Sequence, residues 1–203
     1  MNVEEYYQTL IDRIKEEIHE ADDEGTMLVS KHQGFTAVGL EILQELGQAS
    51  DFDLVYFEKK IGRGIARSDG FYYAEHDGRL ELIATVCDGA ESLESVPGAE
   101  LDKAARGALH YFQSCARQDL YKPMEQSSDE FHMTKSICGI HKDITALRII
   151  VLTDGIAKRL PQEVTVEGIQ ITVDVWDVER LHRAQLSGHT FESIVINLSD
   201  RQV

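Results

Sequence analysis

Asp69 and Glu81 are the residues whose type and spacing point most directly to chemistry. Each carboxylate lies near the start of a predicted strand, in Ala66-Arg67-Ser68-Asp69-Gly70-Phe71-Tyr72-Tyr73-Ala74 and Leu80-Glu81-Leu82-Ile83-Ala84-Thr85-Val86, with Asp77-Gly78 between the two strands. Carboxylates on paired strands are hard oxygen ligands, suited to a divalent cation that also holds a substrate phosphate. This is half of the signature of a metal-dependent nuclease core. The other half is an acid, a spacer and a lysine on the second strand, and Glu81-Leu82-Ile83 puts isoleucine at the lysine position. An aliphatic side chain supplies no charge to a developing phosphoryl transition state. Lys59, Lys60 and Lys103 are the lysines that could substitute from another element.

Rival chemistries are less complete. Cys115, His132, Cys138 and His141 could supply four nitrogen and sulfur ligands to zinc, but only Cys138 and His141 form a close pair, whereas zinc modules usually show two. Gly62-Arg63-Gly64 lacks the lysine and helix of a phosphate loop, and Ser187-Gly188-His189 lacks the context of a nucleophile elbow. Cys115, on the same predicted helix as His110, reads as a core residue.

The elements that position these groups follow from hydrophobic periodicity. Tyr7, Leu10, Ile11, Ile14 and Ile18 mark an amphipathic first helix, and Phe35, Val38, Ile42 and Leu46 a second over 34–46, with Gly47 as its stop and Glu41 beside its apolar stripe. A strand is predicted over 52–58, closed by Gly62-Arg63-Gly64, and the strand pair over 67–87 turns at Asp77-Gly78, a pair that tolerates positive φ. A long helix over 99–118 presents Leu101, Ala104, Ala105, Ala108, Phe112 and Cys115. The polar segment 119–145 contains Pro123 and no clean period, and reads as an irregular insertion. Continuous apolarity over 147–152 predicts a buried parallel strand, and alternation over 169–175 another with one wetter face. Asp177 is placed to cap a helix to about Gln185, and 191–197 could add an edge strand. The order predicts an α/β domain, a mixed sheet with helices on both sides. Residues 1–33 form an N-terminal helix and connection, and 34–203 the domain proper.

Composition bounds what such a domain does. Its 203 residues fit one domain, and 36 acidic against 20 basic side chains leave a net charge of −16, which opposes approach to a phosphate backbone unless basic residues cluster. Lys59, Lys60, Arg63, Arg67 and Arg79 are the candidates for such a patch. The three cysteines have no framework spacing, and no secretory signal or membrane-length apolar run appears. A cytoplasmic protein with free thiols is expected.

The element order resembles the restriction-endonuclease-like core of PD-(D/E)xK nucleases. Ser68-Asp69-Gly70-Phe71 with Leu80-Glu81-Leu82, then Val151-Leu152-Thr153-Asp154-Gly155, then Val175-Trp176-Asp177-Val178-Glu179-Arg180-Leu181 with Ser187-Gly188 resemble, in that order, the N-terminal region of the abortive-infection phage-resistance (AIPR) proteins. Members are usually much longer, so the chain resembles their N-terminal part or a short relative. The resemblance implies phage defence by abortive infection. Matching the nuclease motif makes Asp69 and Glu81 ligands to Mg²⁺, with Glu41 a third, helix-borne carboxylate. With the lysine missing, the expected function is a degenerate nuclease-like module acting in recognition or assembly. The alternatives are a Mg²⁺-dependent nuclease cleaving DNA or RNA through Glu41, Asp69 and Glu81, and a protein-interaction or homodimerisation module whose acidic surface suits basic partners.

Overall fold

A computed structural model describes residues 1–23, 30–117, 119–158 and 169–188. Helix α1 (Val3–Asp23) uses the predicted stripe to bury Tyr7, Leu10 and Ile14, together with Tyr6, and the Tyr7 hydroxyl donates to the Ala90 carbonyl at 2.8 Å. Helix α2 (Lys31–Glu45) begins at a capping box, in which the Ser30 hydroxyl accepts from the Gln33 amide and Gln33 reaches back to the Ser30 amide. It stops before Gly47, whose φ of 65° is the left-handed conformation that ends helices.

Strands β1 (Phe57–Ile61) and β2 (Gly64–Ser68) form a separate antiparallel hairpin. The chain then passes through Asp69 into β3 (Gly70–Ala74), which pairs antiparallel with β4 (Arg79–Val86) across the expected Asp77-Gly78 turn. Gly78 has φ 63°, and a Cβ there would lie 2.7 Å from the Asp143 carbonyl oxygen. The strand predicted over 52–58 starts later than expected. Leu54 and Tyr56 are exposed, so their apolarity marks no core face, and within 51–56 Asp53 alone bridges to the sheet, opposite Phe71. That bridge needs Gly70, because a Cβ at this position would come within 2.9 Å of the Asp53 carbonyl oxygen.

Helix α3 (Gly98–Cys115) carries the chain across to β6 (Ala146–Thr153), and β8 (Gln170–Trp176) follows. A short parallel pair, β5 (Ser95–Val96) with β7 (Ile156–Ala157), lies beside the ends of these strands. The main sheet has the order β3-β4-β6-β8, antiparallel at β3/β4 and parallel thereafter, so the predicted mixed sheet is present and the apolar strand β6 is interior. Helix α5 (Val178–Gly188) starts at Asp177, whose Oδ1 accepts from the Arg180 amide at 2.8 Å. The edge strand expected at 191–197 lies outside the described residues.

The segment 119–145 departs from the expectation of irregularity. It contains helix α4 (Asp129–Ile140), capped by Ser128 and buried through Phe131, Met133, Thr134, Ile137 and Cys138. A threonine inside the apolar stripe hides the period. Thr134 is buried because its hydroxyl is within 3.1 Å of that of Tyr111.

Alternation along the strands divides the interior into two cores. Leu80, Leu82, Ala84, Leu147, Ile149 and Val151 pack towards α3 and α4. Ile83, Ile150, Leu152 and Trp176 pack towards α1, α2 and α5. Among the described residues no helix is long and apolar enough to cross a membrane.

Candidate functional site

The site is built where α2 begins and β4 ends. Asp69, at the junction between β2 and β3, is 5% exposed, and its carboxylate is fully engaged. Oδ2 accepts from the Thr85 amide at 2.6 Å, Oδ1 lies 2.9 Å from His32 Nε2, and Arg67 Nη2 stands 3.3 Å from Oδ2. Arg67 is fixed in turn by donating from Nη2 to the Thr85 carbonyl at 2.6 Å. Thr36, one turn after His32, closes the arrangement, with its hydroxyl donating to the His32 carbonyl and lying 2.9 Å from the Thr85 hydroxyl. A buried carboxylate is stable here because a guanidinium, an imidazole and a backbone N–H compensate its lost hydration.

The strand register decides which residues face Asp69. Gly70 is opposite Ile83, and the Asp69 amide donates to the Ile83 carbonyl at 2.9 Å, so the β4 side chains beside Asp69 on the α2 side are Ile83 and Thr85. Glu81 pairs with Tyr72 instead, four residues before Thr85 along β4, or roughly 13 Å at ~3.3 Å per residue. It is 1% exposed and belongs to a different cluster. Arg79 Nε is 3.0 Å from Glu81 Oε1, though not aligned for a hydrogen bond, and Arg148 Nη1 is 3.5 Å from Oε2 while Arg148 Nε donates to Asp174 at 2.7 Å. Glu41 is exposed on α2 and paired with Arg13 at 2.9 Å. The structure therefore gives the three expected carboxylates three separate sets of cationic partners and does not bring them together. The Mg²⁺ implied by the nuclease resemblance does not fit this donor set, because guanidinium groups occupy the positions beside Asp69 and Glu81 where further oxygen ligands would be required. Among the described residues, no group of three or more His, Cys, Asp or Glu could hold a metal ion.

The basic residues close in sequence also separate. Arg67 is committed to Asp69, Arg79 to Glu81 at the far end of β4, and Lys59, Lys60 and Arg63 are exposed on the β1/β2 hairpin. Lys103, a candidate lysine substitute, lies on α3, 3.5 Å from Glu100. The zinc ligand set dissolves as well. Cys115 and Cys138 are buried in the core between α3 and α4, His132 is exposed, and His141 Nε2 is 3.1 Å from the Phe112 carbonyl with its ring stacked on Phe112. Contact with the Cys138 thiol, with burial second, pushes the Cys115 thiol far up, and burial holds His141 below the usual histidine range. Cys87 is held protonated by burial and by Asp154, to which its thiol donates at 3.2 Å.

His32 and Arg67 form a wall of a cleft of about 690 Å³ bounded by β2, the end of β4 and α3. Ligand sites in α/β sheets favour the carboxyl ends of parallel strands, and this cleft includes Val86, Cys87 and Asp88 at the end of β4. Gly64 and Gly107 contribute no side chains to it. The sequence points to Asp69 and places Arg67 among the basic candidates, but does not single out His32, Thr36 or Thr85. The available signal was the position of His32 and Thr36 one turn apart at the start of α2.

A family model described as "Abortive infection phage resistance protein N-terminal domain" matches residues 35–183, more than half of the chain. The match runs from the first turns of α2 into α5, covering every strand among the described residues and both Asp69 and Arg67. Neither a curated protein nor a solved structure matches the chain.

Proposed function

Since the chain belongs to the abortive infection phage resistance family, by its N-terminal domain, we propose that this domain is a restriction-endonuclease-like module that serves phage defence by recognition rather than by hydrolysis. Asp69 acts as a buried anchor behind the recognition cleft, holding His32 and Arg67 in its wall. The observation that carries this reading is the Arg67–Asp69–His32 arrangement. A guanidinium within 3.3 Å of the carboxylate, and itself tied to the Thr85 carbonyl, neutralises the charge that would attract a divalent cation. Ile83 and Thr85, the β4 neighbours of Asp69, offer neither a second acid nor an ammonium group. What remains is a rigid polar wall of Arg67 and His32 beside an open cleft, which suits binding of a polar ligand.

The test is a calorimetric titration of Mg²⁺ and Mn²⁺ into the wild type and Asp69→Ala, beside a cleavage assay on DNA and RNA. The expected result is no metal-binding heat that depends on Asp69 and no cleavage by either protein. Metal binding and cleavage that both disappear in Asp69→Ala would establish the nuclease alternative instead.

A further inference from the structure

We propose that the cleft between β2 and α3 binds a nucleoside phosphate, with the phosphate held by Arg67, Lys103 and Arg106; this rests on the recognition reading above and names its ligand.

Helical spacing assembles one wall. Lys103, Arg106, His110 and Gln113 recur at three- and four-residue steps, so one polar stripe of α3 runs along the cleft, and all four residues line it. Arg106 makes no ion pair or hydrogen bond among the described residues, and Lys103 is 70% exposed, with a single partner, Glu100. The opposite wall holds Arg67. Its Nη2 donates to the Thr85 carbonyl and stands against Asp69, and Nε is buried 4.0 Å from Glu58 Oε2, so the guanidinium is fixed at one corner with the N–H groups of Nη1 left over. Planar guanidinium groups with unused N–H donors suit the oxygens of a phosphate.

The remaining lining selects among phosphate compounds. Glu58 and Asp88 share the cleft with these cations, and carboxylates at such positions accept from ribose hydroxyls and base amino groups. The volume of about 690 Å³ lies within the range of small-molecule sites, roughly 300–1,000 Å³. A net charge of −16 repels a long polyanion far more than a ligand carrying one to three phosphates. A mononucleotide meets all three conditions, whereas a nucleic-acid strand fails the last.

The experiment is a calorimetric titration of the full chain with AMP, ATP and inorganic phosphate in buffer containing EDTA, repeated with Lys103→Ala, Arg106→Ala and a short single-stranded oligonucleotide. Both substituted side chains are exposed, so the variants keep the fold, which circular dichroism checks. The expected result is one nucleotide per chain, with affinity falling about 3- to 10-fold in each variant, the loss of one charge-assisted contact. Inorganic phosphate should compete more weakly than AMP. The proposal is overturned by the absence of saturable heat with AMP and ATP up to about 1 mM, by binding that both variants leave unchanged, or by an oligonucleotide that binds where the mononucleotides do not. With metal chelated, these outcomes are independent of the cleavage test. Failure here leaves the recognition reading standing without this ligand, and Asp69-dependent cleavage would remove that reading whatever the nucleotide result.

Discussion

Replacing Asp69 with alanine should destabilise the protein strongly although no metal is lost. The carboxylate is 5% exposed and accepts from the Thr85 amide at 2.6 Å, with His32 and Arg67 also in contact. A hydrogen bond to a charged group contributes about 1.5–3 kcal/mol, and stripping one partner from a fully buried ion pair costs about 3–5 kcal/mol. The Arg67 side chain retains 22% exposure, so part of its charge is rehydrated and the upper figure does not apply. We expect a loss of about 3 kcal/mol. With a urea m-value near ~2 kcal/mol/M for a domain of this size, the midpoint should fall by about 1.5 M. The double variant Arg67→Met/Asp69→Ala should lose less than the sum of the two single variants, by more than about 1 kcal/mol, because it removes the orphaned charge. Urea unfolding of the four proteins measures both quantities. An Asp69→Ala variant within about 0.5 kcal/mol of wild type, the range of an ordinary surface change, would mean that the carboxylate is not a compensated buried charge.

The other carboxylates should behave differently. Glu41→Ala removes an exposed pair with Arg13 and should change stability by less than about 1 kcal/mol, whereas Glu81→Ala removes a 1% exposed carboxylate from beside Arg79, which is 43% exposed, and Arg148, which keeps Asp174, and should cost about 1.5–3 kcal/mol by the same urea measurement. Gly78→Ala forces a side chain into φ 63° and a 2.7 Å contact with the Asp143 carbonyl, and should cost about 1–3 kcal/mol, read as a lower thermal midpoint. Burial lowers the proton affinity of folded His141 relative to the unfolded chain, so the contribution of this histidine is full above its unfolded value of about 6.5 and is lost as the pH falls through the folded value. Stability measured between pH 7.5 and 5 should therefore decline less steeply in His141→Gln than in the wild type. The Cys87 thiol, kept protonated by burial and Asp154, should alkylate much more slowly at pH 8 than the same cysteine in the urea-unfolded chain.

The fold was largely legible because its signals are local. The apolar run 147–152 reads as an interior strand, the stripe from Tyr7 to Ile14 as a packed helix, and Asp77-Gly78 as a tight turn, and each is found in place. Helix α4 was missed because Thr134 and Cys138 sit on its buried stripe and satisfy themselves through contacts that lie far away in sequence. The site was half legible. Asp69 stood out by type, but its partners depend on register and on the approach of α2, neither of which sequence spacing encodes. A one-motif reading paired Asp69 with Glu81, whereas the junction between β2 and β3 brings it beside Thr85. Glu41 lies on the right helix but beyond the turn that reaches the site, where His32 and Thr36 stand instead.

Whether Asp69 is held by Arg67 and His32 rather than by a metal is read most directly from anomalous diffraction of crystals soaked in Mn²⁺. The expected result is no anomalous peak at the Asp69 carboxylate, with Arg67 Nη2 and His32 Nε2 still against its oxygens. A manganese peak bridging Asp69 and another oxygen ligand, with the Arg67 guanidinium displaced, would contradict it.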